Sequence, residues 1–212
     1  MRRTVRLASG VGLALATALV TTLTGCASPE YQFVSSEDRN LVIRVPRNWT
    51  ALDPAAALKA SGMDPATAAN AWTVFYDAAE KPVVDHVKSL STDAPFMFAQ
   101  SIPISAEQRS SVTEDQLREL MLPATPQIRD IAAKAKDFVM LTDEKITRPK
   151  QRGMHVRYSY QIGETTEVYD RIALTDPKRT AVHIVYVHCT RECFAAHPEI
   201  DDVVTSLTLK SR

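Results

Sequence analysis

The chain has 212 residues, with 25 basic and 25 acidic side chains and a formal net charge of zero. That length suits one domain with a substantial core, and the charge balance leaves no basic excess of the kind a nucleic-acid surface needs. The first 25 residues hold Arg2, Arg3 and Arg6 but no acid, so acids outnumber bases in the remainder and no polybasic lipid-binding surface is expected there either.

An apolar run over residues 11–20 follows the three arginines and leads to Leu23-Thr24-Gly25-Cys26. A positive head, a short apolar core and a small-residue cleavage site make the layout of a secretory signal. The run is too short to span a bilayer, which takes about 20 mostly apolar residues. The closing cysteine makes the stretch resemble a bacterial lipobox. That resemblance implies removal of residues 1–25, lipid on Cys26, and a chain anchored to the cell membrane on its extracytoplasmic face. A single acyl chain anchors only marginally and two or more anchor stably, a need that the multiple acylation of bacterial lipoproteins meets. Arg2-Arg3 hints at the twin-arginine route, but the residues after it fit poorly, so general secretory export is expected.

Residues 26–30 form a short tether, which holds a single domain, residues 31–212, close to the lipid. Tyr31 and Phe33, then Leu41, Ile43 and Val45, alternate with other residues on either side of a polar run from Ser35 to Asn40. This predicts a hairpin, closed by Pro46-Arg47-Asn48-Trp49. Asp53-Pro54 and Asp64-Pro65 each join an N-cap to a proline at the first helical position. They predict two short helices within residues 51–72, divided by Ser61-Gly62. Residues 73–76 read as a strand. Residues 81–103 carry Pro82, Pro95 and Pro103, each without a backbone donor; within them, residues 96–102 fit an extended strand. Thr113-Glu114-Asp115-Gln116 is a capping box, and Leu117, Leu120 and Met121 fall on one face of the helix after it. Pro123 and Pro126 break that helix. Thr125-Pro126 starts another, with Ile128, Ile131 and Ala135 at helical spacing.

Strands follow, beginning with residues 138–142. Met154, Val156, Tyr158, Tyr160 and Ile162 alternate with His155, Arg157, Ser159 and Gln161. Gly163-Glu164 turns the chain into residues 166–174, and Asp176-Pro177-Lys178-Arg179 turns it into residues 180–188. The last run is apolar at nearly every position, which places it at the sheet centre, buried on both faces. A helix over residues 197–204 and then Leu207-Thr208-Leu209 close the chain. The order predicts an α+β domain, an antiparallel sheet between helical layers.

Three of these pieces carry a family resemblance: residues 41–50, a strand ending in proline and then tryptophan; the meander over residues 153–188; and the closing helix before Ser206-Leu207-Thr208-Leu209. Together they resemble the PsbP-like fold and, within it, the actinobacterial lipoproteins of the LpqN type. The resemblance covers most of residues 31–210 as a pattern of elements. It implies an α/β/α sandwich and a binding or scaffolding role without a shared reaction, and it assigns no site residue.

With Cys26 taken by lipid, Cys189 and Cys193 remain, and an even pair in an exported chain favours a disulfide. Their spacing is not the Cys-x-x-Cys of redox motifs. On a regular helix their β-carbons would stand about 5–6 Å apart, whereas a disulfide wants about 4 Å, so an irregular turn is expected. His183, His188, Cys189, Cys193 and His197 are the densest group of soft ligands, of types that zinc accepts. An odd separation on one strand points His183 and His188 to opposite faces, so no metal is expected. His155 and Arg157, with Ser159 and Gln161, either line a ligand pocket or lie on a solvated or helix-covered face. Trp49, Trp72, Phe96 and Phe98 either wall an apolar pocket or fill the core. No hydrolase, zinc-protease, phosphate-loop or dinucleotide motif is present, and beyond residue 25 only Gly62, Gly153 and Gly163 remain for phosphate-cradling loops. The expectation is a membrane-anchored envelope lipoprotein with a non-catalytic binding or adapter role and no cofactor. Its partners would be the membrane, through Cys26, and an envelope protein. A carrier of a small apolar or lipid ligand is the alternative, and a metal-dependent hydrolase a distant third.

Overall fold

Alternating apolar residues build the first hairpin: β1 (Tyr31–Ser36) runs antiparallel to β2 (Leu41–Pro46), with Phe33 opposite Arg44 and Val34 opposite Ile43. The computed structural model describes residues 31–63, 69–89, 91–122 and 136–210. The signal, Cys26, the tether, the start of the helix expected at Asp64-Pro65 and the helix expected at Thr125-Pro126 lie outside the described residues; residues 69–70 are helical. After β2 come β3 (Thr50–Ala51) and α1 (Pro54–Ser61). The Asp53 side chain accepts the Ala56 N–H at 2.7 Å and starts α1; Gly62, at φ 68°, ends it in the left-handed region that glycine tolerates. Next are β4 (Trp72–Asp77) and β5 (Phe96–Pro103). The expected capping box is present: Thr113 accepts the Gln116 N–H and Gln116 accepts the Thr113 N–H, opening α2 (Glu114–Met121). Leu117 and Met121 are buried beneath α2, but Leu120 is 52% exposed, so the buried stripe is narrower than the sequence pattern.

The meander comprises β6 (Lys136–Arg148), β7 (Gln151–Ile162), β8 (Thr165–Thr175) and β9 (Ala181–Thr190). The chain closes with α3 (Arg191–Ala196), α4 (Glu199–Thr205) and β10 (Thr208–Leu209). The single closing helix expected over residues 197–204 is therefore two short ones. Thr190 caps α3 by accepting the Cys193 N–H, and Pro198 separates α3 from α4.

All pairings are antiparallel. The main sheet runs β3-β4-β5-β9-β8-β7-β6, which puts β9 in the middle as its apolar run predicts. The first hairpin does not join it; β1, β2 and β10 make a separate three-stranded sheet. One face of the main sheet, with Ile172, Leu174, Val185 and Val187, packs against Leu41, Ile43 and Val45 of the small sheet and Ile200, Val203 and Val204 of α4. The other face, with Met154, Val156, Tyr158 and Ala173, packs under Leu117 and Met121 of α2. At the β4–β5 end Phe75 and Phe96 meet Ala57 of α1. The domain is thus α+β, an antiparallel sheet with helices on both faces, and the small sheet shares one covering layer. Gly153 in β7 has no room for a side chain, because a β-carbon there would collide with the Ala173 carbonyl oxygen.

Candidate functional site

Both faces of the main sheet bury charge, and β8 supplies it. Asp170 points to the α4 side and is fully buried. It accepts hydrogen bonds from His155 Nε2 at 2.6 Å and from Arg157 Nε at 3.0 Å and Nη2 at 2.5 Å. Arg157 reaches on to Asp201 of α4, and its guanidinium lies 4.9 Å from the centre of the Phe194 ring of α3. His155 and Arg157 therefore pair with a buried carboxylate beneath the closing helices and do not line a ligand pocket. A buried charge is tolerated when it is paired and hydrogen-bonded, and here the pairing pins α3 and α4 to the sheet.

The opposite face carries an aromatic ladder. Tyr158, Tyr160 and Tyr169 stack at 5.0–6.1 Å, the Tyr160 hydroxyl donates to that of Tyr169 at 2.9 Å, and His188 stacks on Tyr169 at 5.3 Å. Arg171 donates to the Met121 carbonyl at 2.7 Å and lies 4.4 Å from the Tyr186 ring centre, a favourable cation–π geometry. Burial pushes the Tyr158 hydroxyl up to about 12 and raises those of Tyr169 and Tyr186 too, so the rings stay neutral around the cation. Beside them Ser91 Oγ donates to the buried Glu167 Oε1 at 2.5 Å, while Glu167 Oε2 and His188 Nδ1 stand 3.9 Å apart. Burial holds His188 below its ordinary pKa. Serine, histidine and glutamate are the types a hydrolytic triad uses, but Ser91 bonds the carboxylate, not the imidazole a nucleophile needs for activation.

Cys189 is the penultimate residue of β9 and Cys193 lies in the first turn of α3; they are joined by a disulfide with α-carbons 5.9 Å apart. The bridge straddles a strand-to-helix junction, in keeping with the irregular turn expected there. The other soft ligands are not brought to it. His183 and His188 lie on opposite faces of β9, and His197 bonds Glu199 at 2.8 Å. Among the described residues no group of three or more His, Cys, Asp or Glu is placed to hold a metal. The four aromatics do not wall one pocket: Trp49 and Trp72 belong to the core on the α4 side, Phe96 and Phe98 to the cluster under α1. Along β4 and β5 the strand period of two sends Trp72 to one face and Phe96 and Phe98 to the other.

Among the described residues, two surface clefts stand out. One, of about 500 Å³, opens between the start of α2 and the ends of β6, β7 and β8, and brings Lys145, Arg152 and Arg179 near Glu114, Asp115 and Asp176. Lys145 Nζ pairs with Glu114 at 2.8 Å. The other, of about 580 Å³, lies between Tyr31, Arg47 and Asn48 on one side and Pro198, Glu199 and Asp202 on the other. Neither is lined by Asp170, Glu167 or His188. Sequence reading missed Asp170, Glu167 and Arg171. The usable signal was three charged residues inside a predicted strand, where burial demands partners.

The sequence matches no protein-family model and no curated protein. Solved structures do match. Cyanobacterial PsbP from Synechocystis, 13% identical, superposes with a TM-score of 0.54 over 90% of this chain and 99% of its own. The Ran-binding protein Mog1p of Saccharomyces cerevisiae follows at 0.47, 7% identical, over 86% and 96% of the two chains. LpqN of Mycobacterium tuberculosis, described as involved in cell envelope biogenesis, gives 0.45 and 9% over 86% and 91%. The PsbP match covers both chains nearly end to end, and the fold is PsbP-like. Among the described residues no helix is long and apolar enough to cross a membrane.

Proposed function

We propose that this chain is a lipoprotein of the cell membrane, anchored on the extracytoplasmic face through acylated Cys26, and that its domain is a non-catalytic binding or adapter module. The observation that carries the reading is the lipobox-like Leu23-Thr24-Gly25-Cys26 placed five residues before the first strand of a PsbP-like domain. Tyr31, the first described residue, opens the small-sheet layer, whereas the cleft beside α2 lies in the opposite layer. An anchored domain would thus turn that cleft away from the tether, toward a partner. Its mixture of Lys145, Arg152 and Arg179 with Glu114, Asp115 and Asp176 suits a protein surface better than an apolar ligand. The aromatics that motivated the carrier reading are taken up by the core.

The test is a photo-crosslinking residue at Arg152 and, separately, at Arg179 in the full chain on intact cells. A discrete envelope-protein adduct from both positions, absent from a control position at Glu37, supports the adapter reading. No adduct, with lipid co-purifying with the chain in its place, would replace it by the carrier.

A further inference from the structure

We propose that the outer face of the small sheet rests on the bilayer, with Phe33 entering the interfacial layer. The proposal rests on the reading of Cys26 as the acylated residue. Leu41, Ile43 and Val45 face the core. Strand register then turns Phe33 and Ser35 of β1, Val42 and Arg44 of β2, and Thr208 of β10 outward, with Tyr31 beside them. Phe33 is 70% exposed, the most exposed large apolar side chain among the described residues, and it belongs to none of the apolar clusters of the core.

The outward positions carry no acid, and their one charge is Arg44. Its guanidinium lies 5.2 Å from the centre of the Tyr31 ring. Asp202, on neighbouring α4, accepts from the Tyr31 hydroxyl at 3.0 Å and stands 3.6 Å from Arg44. A phenyl ring free to meet acyl chains, a tyrosine with its hydroxyl at a polar rim, and a guanidinium near them match the chemistry of a membrane–water interface.

Chain length supplies the placement. Cys26 and Tyr31 are five residues apart, a span of about 17 Å at full extension. Phe33 lies two residues further along β1, about 7 Å more. So short a connection keeps this face within reach of the headgroups, in the layer opposite α2.

The full acylated chain, purified from membranes, is reconstituted in vesicles of phosphatidylcholine and phosphatidylglycerol, with and without bromine at mid-chain. Phe33→Trp is compared with the wild type and with Leu120→Trp, which is exposed on the opposite layer. The Phe33→Trp fluorescence should shift to shorter wavelength and be roughly halved by the brominated lipid, as for an apolar residue seated about 5–10 Å into the interface. Leu120→Trp should show neither effect. A chain that is acylated and sediments with vesicles while Phe33→Trp stays unquenched overturns the contact and leaves the anchor standing. A wild-type chain that lacks the acyl group, or does not sediment, overturns the anchor and this proposal with it.

Discussion

Asp170→Ala should be among the most damaging single changes in this domain. The carboxylate is fully buried and takes three hydrogen bonds, one from His155 and two from Arg157. Removing one partner of a buried ion pair costs about 3–5 kcal/mol, because the other charge is left uncompensated. Arg157 retains Asp201 and the Phe194 ring and is partly exposed, which sets the expectation near the low end, about 3 kcal/mol. For a domain of this size that is a fall in Tm of roughly 6–12 °C. Arg157→Ala should cost less, since Asp170 keeps His155. The double variant should be less destabilised than the sum of the two, with a coupling of about 1–3 kcal/mol. Urea unfolding of residues 27–212 at pH 7, followed through the emission of buried Trp49, measures all three. A change under about 1 kcal/mol for Asp170→Ala, with additive singles, would refute the claim that this network holds α3 and α4 to the sheet.

Acid should weaken the fold from about pH 6.5 downward. Burial lowers His183 to about 4 in the folded chain, against about 6.5 unfolded, so its contribution is intact above pH 6.5 and declines as pH falls from 6.5 toward 4, by up to roughly 3 kcal/mol. His188 acts with the same sign; urea midpoints between pH 7 and 4.5 should drop, His183→Leu should flatten the slope, and midpoints that rise on acidification would contradict it. Replacing Cys189 and Cys193 together with Ser should cost about 1–3 kcal/mol, toward the low end because the closed loop is short, and two free thiols by mass spectrometry of the oxidised wild-type chain would refute the bridge. Gly153→Ala should cost about 3 kcal/mol or prevent folding, since its β-carbon meets the Ala173 carbonyl across the β7–β8 pair; a soluble variant with an unchanged urea midpoint would show that the strands can part there.

The meander was legible because its residues obey a period of two over long runs, and Gly163, at φ 61°, marks the two-residue turn between Ile162 and Thr165. The starts of α1 and α2 were legible through Asp53 and Thr113, whose caps are local chemistry. What escaped depended on distant pairing. The first hairpin joins β10, a strand of two residues whose partners, Val42 and Leu41, lie 166 and 168 positions away, and nothing local announces that it avoids the main sheet. Six-residue α3 is too short for a helical period to show, although Thr190 is a visible N-cap. Asp170 meets Arg157 only through the β7–β8 register, so the buried network could not be read before the strands were aligned. The clefts are products of tertiary packing and had no counterpart in the sequence pattern.

Metabolic labelling with an alkyne analogue of palmitate tests the anchored reading most directly. The wild-type chain should carry the label and fractionate with membranes, and Cys26→Ser should lose both. Label that survives Cys26→Ser, or a wild-type chain that is unlabelled and released from membranes, would contradict a lipid-anchored envelope protein.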